Sequence, residues 1–199
     1  MSGQLYLVRH GRTKVNAEGR FRGRCDVPLD EVGLAEAGRA ARMVSDSGAV
    51  ALASSPLLRS TQTAEVLAAA LRLPVQIDPG LVDLDHGDWT GLTPEEAAAR
   101  DPEAFACFRT QPLRSTPPGG EALADALRRT RAALRDLVER HGGAPVVAVS
   151  HEVPIRLVLG DALDVRDEAL WRLDVPTGSV SVLEASGEGF RVHAIGRTG

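Results

Sequence analysis

The stretch LYLVRHGRTKVN, from Leu5 to Asn16, joins a short apolar run directly to a cation, an imidazole and a glycine. The run Leu5–Val8 is typical of a buried β-strand. In a parallel α/β sheet, ligands bind just beyond the carboxyl ends of the strands. The stretch therefore predicts a strand that presents Arg9, His10 and Gly11 at a functional edge.

A second segment repeats this arrangement. PVVAVSHE, residues 145–152, is an apolar strand followed by one polar residue and then His151. If the two strands are neighbours in the sheet, the rings of His10 and His151 can meet at the same edge. A lone histidine is more often a structural or surface residue, and we interpret the three others in that way: His86, His141 and His193.

The rest of the chain alternates short apolar runs with helical patterns. Further strands are predicted at Ala49–Ala53, Val75–Ile77, Trp171–Val175, Val180–Leu183 and Arg191–Ile195. Helices are predicted at Leu34–Val44, after Ser55 as N-cap with Pro56 at the first position, after the capping pair Thr93 and Glu96, after Asp101 and Pro102, at Glu121–Arg140 and at Pro154–Leu159. The segment Gln111–Gly120 is the one long loop. This order predicts an α/β three-layer sandwich, a mostly parallel sheet with helices on both faces, as one domain over residues 1–199.

Composition narrows the class of protein. The chain has 199 residues, 43% of them hydrophobic, and a net charge of −4, which does not favour a nucleic-acid partner. No apolar run approaches the ~18 residues of a membrane span, and no signal peptide is apparent. Cys25 and Cys107 form no CxxC pair, which favours a reduced, cytoplasmic setting. We expect no membrane partner, while an exposed sheet edge could support a homodimer.

Basic residues cluster near the first histidine. Residues 9–24 hold six basic side chains and one acidic side chain. The cluster either binds a small anion or forms a solvated loop. Arg59 is expected near the first turn of a helix, where free N–H groups attract anions. Together with Arg9 and the two histidines, it would form a cationic pocket suited to phosphate, because arginine offers paired donors to phosphate oxygens.

Five blocks occur in order along the chain: RHGRTKVN, SSPLLRSTQTAE, LVDLDHGDWTG, PPGGE and VAVSHEVPIR. Together they resemble the histidine phosphatase superfamily in its phosphoglycerate mutase-like branch, over about Gln4–Leu159. The resemblance implies a phosphoglycerate mutase-like fold and phosphoryl transfer without a metal or other cofactor. The partner that it implies is a small phosphorylated metabolite.

The resemblance also implies roles for individual residues. His10 would attack phosphorus as the nucleophile and form a phosphohistidine. Arg9, Arg59 and His151 would surround the phosphoryl oxygens and stabilise the transition state. The remaining phosphate contacts would come from Gly11, Asn16 and the backbone around Arg22 and Gly23.

Two positions depart from the pattern of the family. The proton donor to the leaving oxygen is usually a Glu, and Asp83 stands at that position; an Asp side chain is one methylene shorter and more acidic when free. Asp85 and Asp88 are the alternative acids, and an acidic turn packed through Trp89 is the alternative without a catalytic role. Glu152 follows the second histidine, where relatives often have a small residue. It would pair with a basic residue or bind a cationic part of the substrate.

Three functions remain open on the sequence. The first is a metal-independent phosphomonoesterase acting on a small metabolite, such as a phosphosugar, a phosphoglycerate derivative, α-ribazole phosphate or phosphoserine. The second is a phosphoglycerate mutase, although mutases of this branch tend to be longer and carry an ERHYG-like segment where this chain has DLDHG. The third is a catalytically weak protein that binds a phosphorylated ligand, which Asp83 and Glu152 motivate.

Overall fold

A computed structural model describes residues 3–187 and 189–199, in which six strands form one sheet in the order β3-β2-β4-β1-β5-β6. The strands are β1 Gln4–Arg9, β2 Ala51–Ser54, β3 Val75–Ile77, β4 Val146–Ser150, β5 Val180–Ser186 and β6 Gly189–Arg197. The first four are parallel to one another, and β5 and β6 add an antiparallel edge. The sheet is therefore mixed but mostly parallel, as predicted.

Seven α-helices accompany the sheet in the described residues. They are α1 Lys14–Ala17, α2 Glu31–Val44, α3 Leu58–Leu71, α4 Pro94–Arg100, α5 Pro102–Thr110, α6 Leu123–Arg140 and α7 Glu152–Ala162. On one face of the sheet, buried side chains of α2 and α3 pack against β1, β2 and β4. On the other face, α6 and α7 pack against the same strands. This confirms the expected layers of helix, sheet and helix.

A third apolar cluster lies apart from the sheet and joins α4 and α5 to α6 and α7. Trp89 is fully buried there, with Leu84, Phe108 and Leu123. The Trp89 indole N–H donates to Asp101 at 2.9 Å, while the predicted capping box of Thr93 and Glu96 starts α4. These helices cover the carboxyl edge of the sheet and supply walls for the site described below.

Two predicted elements are wrong. The run Trp171–Val175 is not a strand, because a 3₁₀-helix at Asp167–Arg172 places the Trp171 ring against Phe108. A short apolar run does not by itself distinguish a strand from a helical turn. Ser55 is also not a helix N-cap: α3 begins at Leu58, whose N–H donates to Asp26 at 2.6 Å.

The described residues contain no helix that is both long and apolar enough to cross a membrane.

Candidate active site

The two strand-end histidines meet, as the sequence predicts for neighbouring strands. β1 and β4 pair in parallel with Arg9 opposite Ser150, so the next residue of each strand is His10 or His151. Their ring centroids are 5.1 Å apart, the ring planes are inclined by 58°, and both side chains are completely buried. The register of the sheet thus brings the two histidines together.

The His10 ring has a defined tautomer. Its Nδ1 lies 2.6 Å from the carbonyl oxygen of Gly11, and a carbonyl can only accept, so Nδ1 carries the proton. The Nε2 lone pair faces Arg59, whose Nε–H donates to it at 3.2 Å. Burial, followed by the charges of Arg59, Arg22 and Arg9, holds the pKa of His10 well below its usual value. His10 is therefore a neutral base with its lone pair directed into the site.

Arg59 connects His10 to Asp83 on the acidic side of the site. Its guanidinium donates to the carbonyl oxygens of Cys25 and Gly23 at 2.7 and 2.9 Å and to Asp83 Oδ2 at 3.0 Å. The side chain is completely buried, and this burial lowers its pKa although Asp83 opposes the shift. Its position in the first turn of α3 agrees with the sequence prediction.

Asp83 is the one of the three candidate acids that reaches the histidines. It is buried, its Oδ1 accepts from the Leu84 N–H at 2.9 Å, and its Oδ2 lies 3.7 Å from His151 Nδ1. That Nδ1 is buried without a hydrogen-bond partner among the described residues. Asp85 and Asp88 lie near exposed arginines instead: Arg24 at 3.8 Å and Arg100 at 3.6 Å.

His151 is held from its other side. Its Nε2 lies 2.7 Å from the hydroxyl of Ser55 and 3.3 Å from that of Ser60. The Ser55 hydroxyl, which the sequence suggested as a helix cap, therefore contacts His151 instead. Burial first, and then the charge of Arg59, lower the pKa of His151 well below its usual value.

The PPGGE block holds the segment that carries Asp83. Glu121 accepts two hydrogen bonds from Arg129 of α6, at 2.7 and 2.9 Å, and its own N–H donates to Asp85. Arg129 also donates to the carbonyl oxygens of Val82 and Asp83, at 2.7 and 3.1 Å. We call Arg129 and Glu121 the clamp. It holds the backbone carbonyl groups of Val82 and Asp83 in place.

Glu152 pairs with basic residues, one of the two outcomes expected from sequence. Its Oε2 lies 2.7 Å from Arg9, and its Oε1 lies 2.8 Å from Arg156 one turn further along α7. Burial opposes its ionisation, but the two arginines outweigh burial and lower the pKa of Glu152. Arg9 also donates to the Val175 carbonyl, and burial lowers its pKa to about 10. Both carboxylate oxygens of Glu152 are therefore engaged within the protein.

The remaining predicted phosphate contacts lie in the same region with different partners. Asn16 lines the cleft, and its Oδ1 accepts from the N–H and hydroxyl of Thr13. The Gly11 N–H donates to Thr63 Oγ1 at 3.1 Å, so it is already occupied. Arg22 lines the cleft, and its Nε is buried without a partner in the described part of the chain. The carbonyl oxygen of Gly23 accepts a hydrogen bond from Arg59.

The cleft above these groups has a volume of about 280 Å³. One part of its wall is aromatic, a feature that the sequence analysis missed. The aromatic wall consists of Phe21, Phe105, Phe108 and Trp171. The spacing of Phe105 and Phe108 on one face of a helix was the available signal, but their contact with Phe21 and Trp171 depends on the tertiary fold. Arg109 and Arg156 of the cleft were missed as well.

His86 is not a surface residue. It is buried in the cleft wall, where its ring lies 4.6 Å from that of Phe21, and its Nδ1 has no partner among the described residues. Burial lowers its pKa to about 4, so the ring is neutral at pH 7. No group of three or more His, Cys, Asp or Glu side chains in residues 3–187 and 189–199 is arranged to hold a metal ion.

Comparison with known proteins found a matching family model and several similar proteins. The model of the histidine phosphatase superfamily (branch 1) matches residues 5–198. Phosphoserine phosphatase 1 of Hydrogenobacter thermophilus is 34% identical over 180 residues, which cover 90% of this chain and 85% of that protein. The structure of mycobacterial glucosyl-3-phosphoglycerate phosphatase Rv2419c with VO3 has a TM-score of 0.85 at 29% identity, covering 98% of both chains.

A further relative is longer than this chain. The bifunctional protein Rv2228c of Mycobacterium tuberculosis is 40% identical over 198 residues, which cover 98% of this chain but 54% of that protein. The chain therefore spans about half the length of this curated relative.

Proposed function

This chain belongs to the histidine phosphatase superfamily (branch 1), and we propose that it hydrolyses phosphomonoesters of a small metabolite through a phosphohistidine on His10. The observation that carries this proposal is the tautomer of His10, whose Nδ1–H is bound to the Gly11 carbonyl. The Nε2 lone pair is thereby directed into the cationic site, where Arg59 already donates to it. A neutral imidazole with a fixed lone pair is a competent nucleophile near neutral pH.

The first step breaks the ester bond. Nε2 of His10 attacks phosphorus, the bond from phosphorus to the ester oxygen breaks, and the departing oxygen takes a proton from the Asp83 carboxyl group. Arg9, Arg59 and His151 surround the transferring group and stabilise the charge on its equatorial oxygens. The buried Nδ1 of His151, which has no partner in the described structure, is available to donate to one of these oxygens.

The second step regenerates the free enzyme. Asp83, now a carboxylate, accepts a proton from a water molecule, whose oxygen attacks the phosphohistidine. The bond between nitrogen and phosphorus breaks, and phosphate leaves. The same side chain thus acts as a general acid in the first step and as a general base in the second. The chemistry described needs no metal, since arginines supply the positive charge.

The test measures phosphate released from p-nitrophenyl phosphate and from a panel of phosphorylated metabolites, in the presence of EDTA. We expect turnover in EDTA, a phosphoenzyme on His10, and loss of both in His10→Ala to the level without enzyme. His193→Ala is the matched control, because its side chain is exposed and pairs with Glu184. Activity or phosphoenzyme retained in His10→Ala would reject the mechanism.

A second candidate function is binding of a phosphorylated ligand with little turnover. It is favoured by one observation: Arg9 and Arg59, the two site cations, each already contact a carboxylate, at 2.7 and 3.0 Å. Binding of inorganic phosphate or vanadate in a calorimeter, without hydrolysis of any ester in the panel, would support it. Exchange between 2- and 3-phosphoglycerate without free phosphate would instead indicate a mutase.

A further inference from the structure

The wall of the cleft carries more positive charge than the site chemistry uses. Five arginines and two carboxylates line it: Arg9, Arg20, Arg22, Arg109, Arg156, Asp83 and Glu152. Arg9 and Arg22 lie near His10, whose pKa they lower in addition to the larger effects of burial and Arg59. Arg20 is paired with Glu96 at 2.9 Å outside the cleft. Arg109 and Arg156 remain, and both lie beside the aromatic wall.

Arg109 and Arg156 are held differently. Arg156 is mostly buried and anchored by Glu152 and by the Leu173 carbonyl at 2.9 Å. Arg109 is exposed, and within residues 3–187 and 189–199 it has no carboxylate partner. The guanidinium carbons of the two residues lie 5.8 and 5.5 Å from the ring centroid of Trp171. The ring fixes both cations at one end of the cleft at the modest strength of cation–π contacts.

We propose that Arg109, beside Trp171, binds a second acidic group of the substrate, a carboxylate or a second phosphate, while the apolar part between the two acidic groups lies on the aromatic wall. This inference rests on the proposed phosphatase function, because it concerns the alcohol part of the ester. An unpaired guanidinium at the mouth of a cleft binds a planar or tetrahedral anion through two parallel hydrogen bonds.

The charge arrangement favours an anion over a cation at this end of the cleft. Glu152 is the nearby carboxylate, and both of its oxygens are engaged by Arg9 and Arg156. It therefore has little capacity left for a substrate ammonium group. A volume of about 280 Å³ lies just below the usual range for small-molecule sites, which fits a compact metabolite with an acidic group at each end.

The experiment uses three aryl esters of one shape. They are phenyl phosphate, 4-carboxyphenyl phosphate and 4-(aminomethyl)phenyl phosphate, which place no charge, a negative charge or a positive charge opposite the phosphoryl group. We expect kcat/KM for the carboxyphenyl ester to exceed that for phenyl phosphate about tenfold, the scale of one hydrogen bond to a charged group. The aminomethyl ester should be the poorest substrate.

The variant Arg109→Gln assigns the effect. It should lower the ratio of kcat/KM for the carboxyphenyl ester to kcat/KM for phenyl phosphate about tenfold; because both enzymes act on the same esters, differences in leaving group cancel. Arg114→Gln is the control, an exposed arginine on a nearby turn that does not line the cleft. A ratio in Arg109→Gln equal to that of the native protein would overturn the inference.

The two proposals fail in different ways. Equal kcat/KM for all three esters in the native protein, with phosphate released from each, would reject the second anion site and leave the phosphatase function intact. Release of phosphate from none of them would reject the proposed function, and this inference with it. To distinguish a carboxylate from a phosphate as the second group, the series is extended by 1,4-phenylene bisphosphate. A larger loss for the bisphosphate than for the carboxyphenyl ester in Arg109→Gln would identify a phosphate.

Discussion

Replacing Gly33 by alanine should reverse the usual effect of this substitution in a helix. Gly33 lies in the first turn of α2, and a Cβ built there would stand 2.0 Å from the carbonyl oxygen of Arg12. A Cβ on Gly11 would likewise stand 2.2 Å from the carbonyl oxygen of Gly33. The chain that follows His10 therefore lies directly on the start of α2, with no room for a methyl group on either side.

The magnitude follows from the overlap. Real Cβ atoms essentially never approach other atoms within 3.0 Å, so the backbone at Gly33 and Arg12 must separate by about 1 Å. In an unhindered helix, alanine is better than glycine by about 1 kcal/mol. Overpacking typically costs about 1–3 kcal/mol, and here the obstacle is backbone that cannot rotate away. We expect Gly33→Ala to lower the free energy of unfolding by about 2 kcal/mol.

The same shift should reach His10, the proposed nucleophile. Arg12 lies two residues after His10, and a displacement of about 1 Å in a reacting group can cost about 100-fold in rate. We therefore expect kcat on p-nitrophenyl phosphate to fall by one to two orders of magnitude, on the order of that figure. Urea unfolding measures the stability, and steady-state kinetics below the unfolding transition measures the rate.

Gly38→Ala is the matched control in the same helix. A Cβ there would meet only the guanidinium of Arg42, at 4.0 Å. It should raise the free energy of unfolding by about 0.5–1 kcal/mol and leave kcat unchanged. If Gly33→Ala and Gly38→Ala have the same stability and the same kcat, the close approach of Arg12 to α2 is not what constrains this position.

Further perturbations test the groups around the cleft. The pKa of His86 is lowered to about 4, so below pH 6.5 the unfolded chain binds a proton that the folded protein excludes. The free energy of unfolding should therefore fall by up to about 3 kcal/mol on acidification to pH 4. Urea unfolding of His86→Phe should show a smaller fall over the same pH range. Asp83→Asn should slow an alkyl phosphate at least tenfold more than p-nitrophenyl phosphate, whose leaving group hardly needs a proton, on the order of the contribution of an acid catalyst. Arg129→Lys keeps the positive charge of the clamp but loses its paired donors. In steady-state kinetics it should slow the alkyl phosphate more than p-nitrophenyl phosphate, by a smaller factor than Asp83→Asn does. Glu152→Gln leaves the buried Arg9 without its carboxylate, and urea unfolding should show a loss of about 2 kcal/mol.

Two of these changes have a matched control variant in the chain. His193→Phe alters an exposed ring on β6 and should leave the acid dependence of stability as it is in the native protein. Arg135→Lys alters a half-buried arginine of α6 that pairs with Glu139 outside the clamp, and should slow neither ester. Equal losses of rate on the two esters in Asp83→Asn would argue that Asp83 is not the acid. If the stability of His86→Phe falls with pH as steeply as that of the native protein, His86 is not the group that excludes the proton.

Local patterns sufficed for the residues at the strand ends. His10 and His151 could be predicted because an apolar run defines a buried strand, and the residue after a parallel strand must lie at the ligand-binding edge. Arg59 could be predicted because its place shortly after Pro56 put it in the first turn of a helix. In each case the deciding information lies within a few residues of the side chain concerned.

Contacts between distant segments needed the tertiary structure. Among Asp83, Asp85 and Asp88 the sequence offered three acids, and only the fold shows which one lies between Arg59 and His151. The actual helix start at Leu58 was missed because its capping carboxylate comes from Asp26, 32 residues earlier.

The sequence by itself determined the layers of the fold, the edge of the sheet that carries the candidate site, and the two histidines that follow neighbouring strands; the role of His10 as nucleophile comes from the family resemblance and stays a proposal. The reason is that backbone periodicity and strand ends are properties of neighbouring residues. The tertiary structure alone decided the partners of Glu152, the clamp on Asp83, and the conformation of Trp171 with Arg109 beside it. These depend on which surfaces of separate helices pack together, and a short apolar run such as Trp171–Val175 is compatible with a strand until that packing places its ring against Phe108.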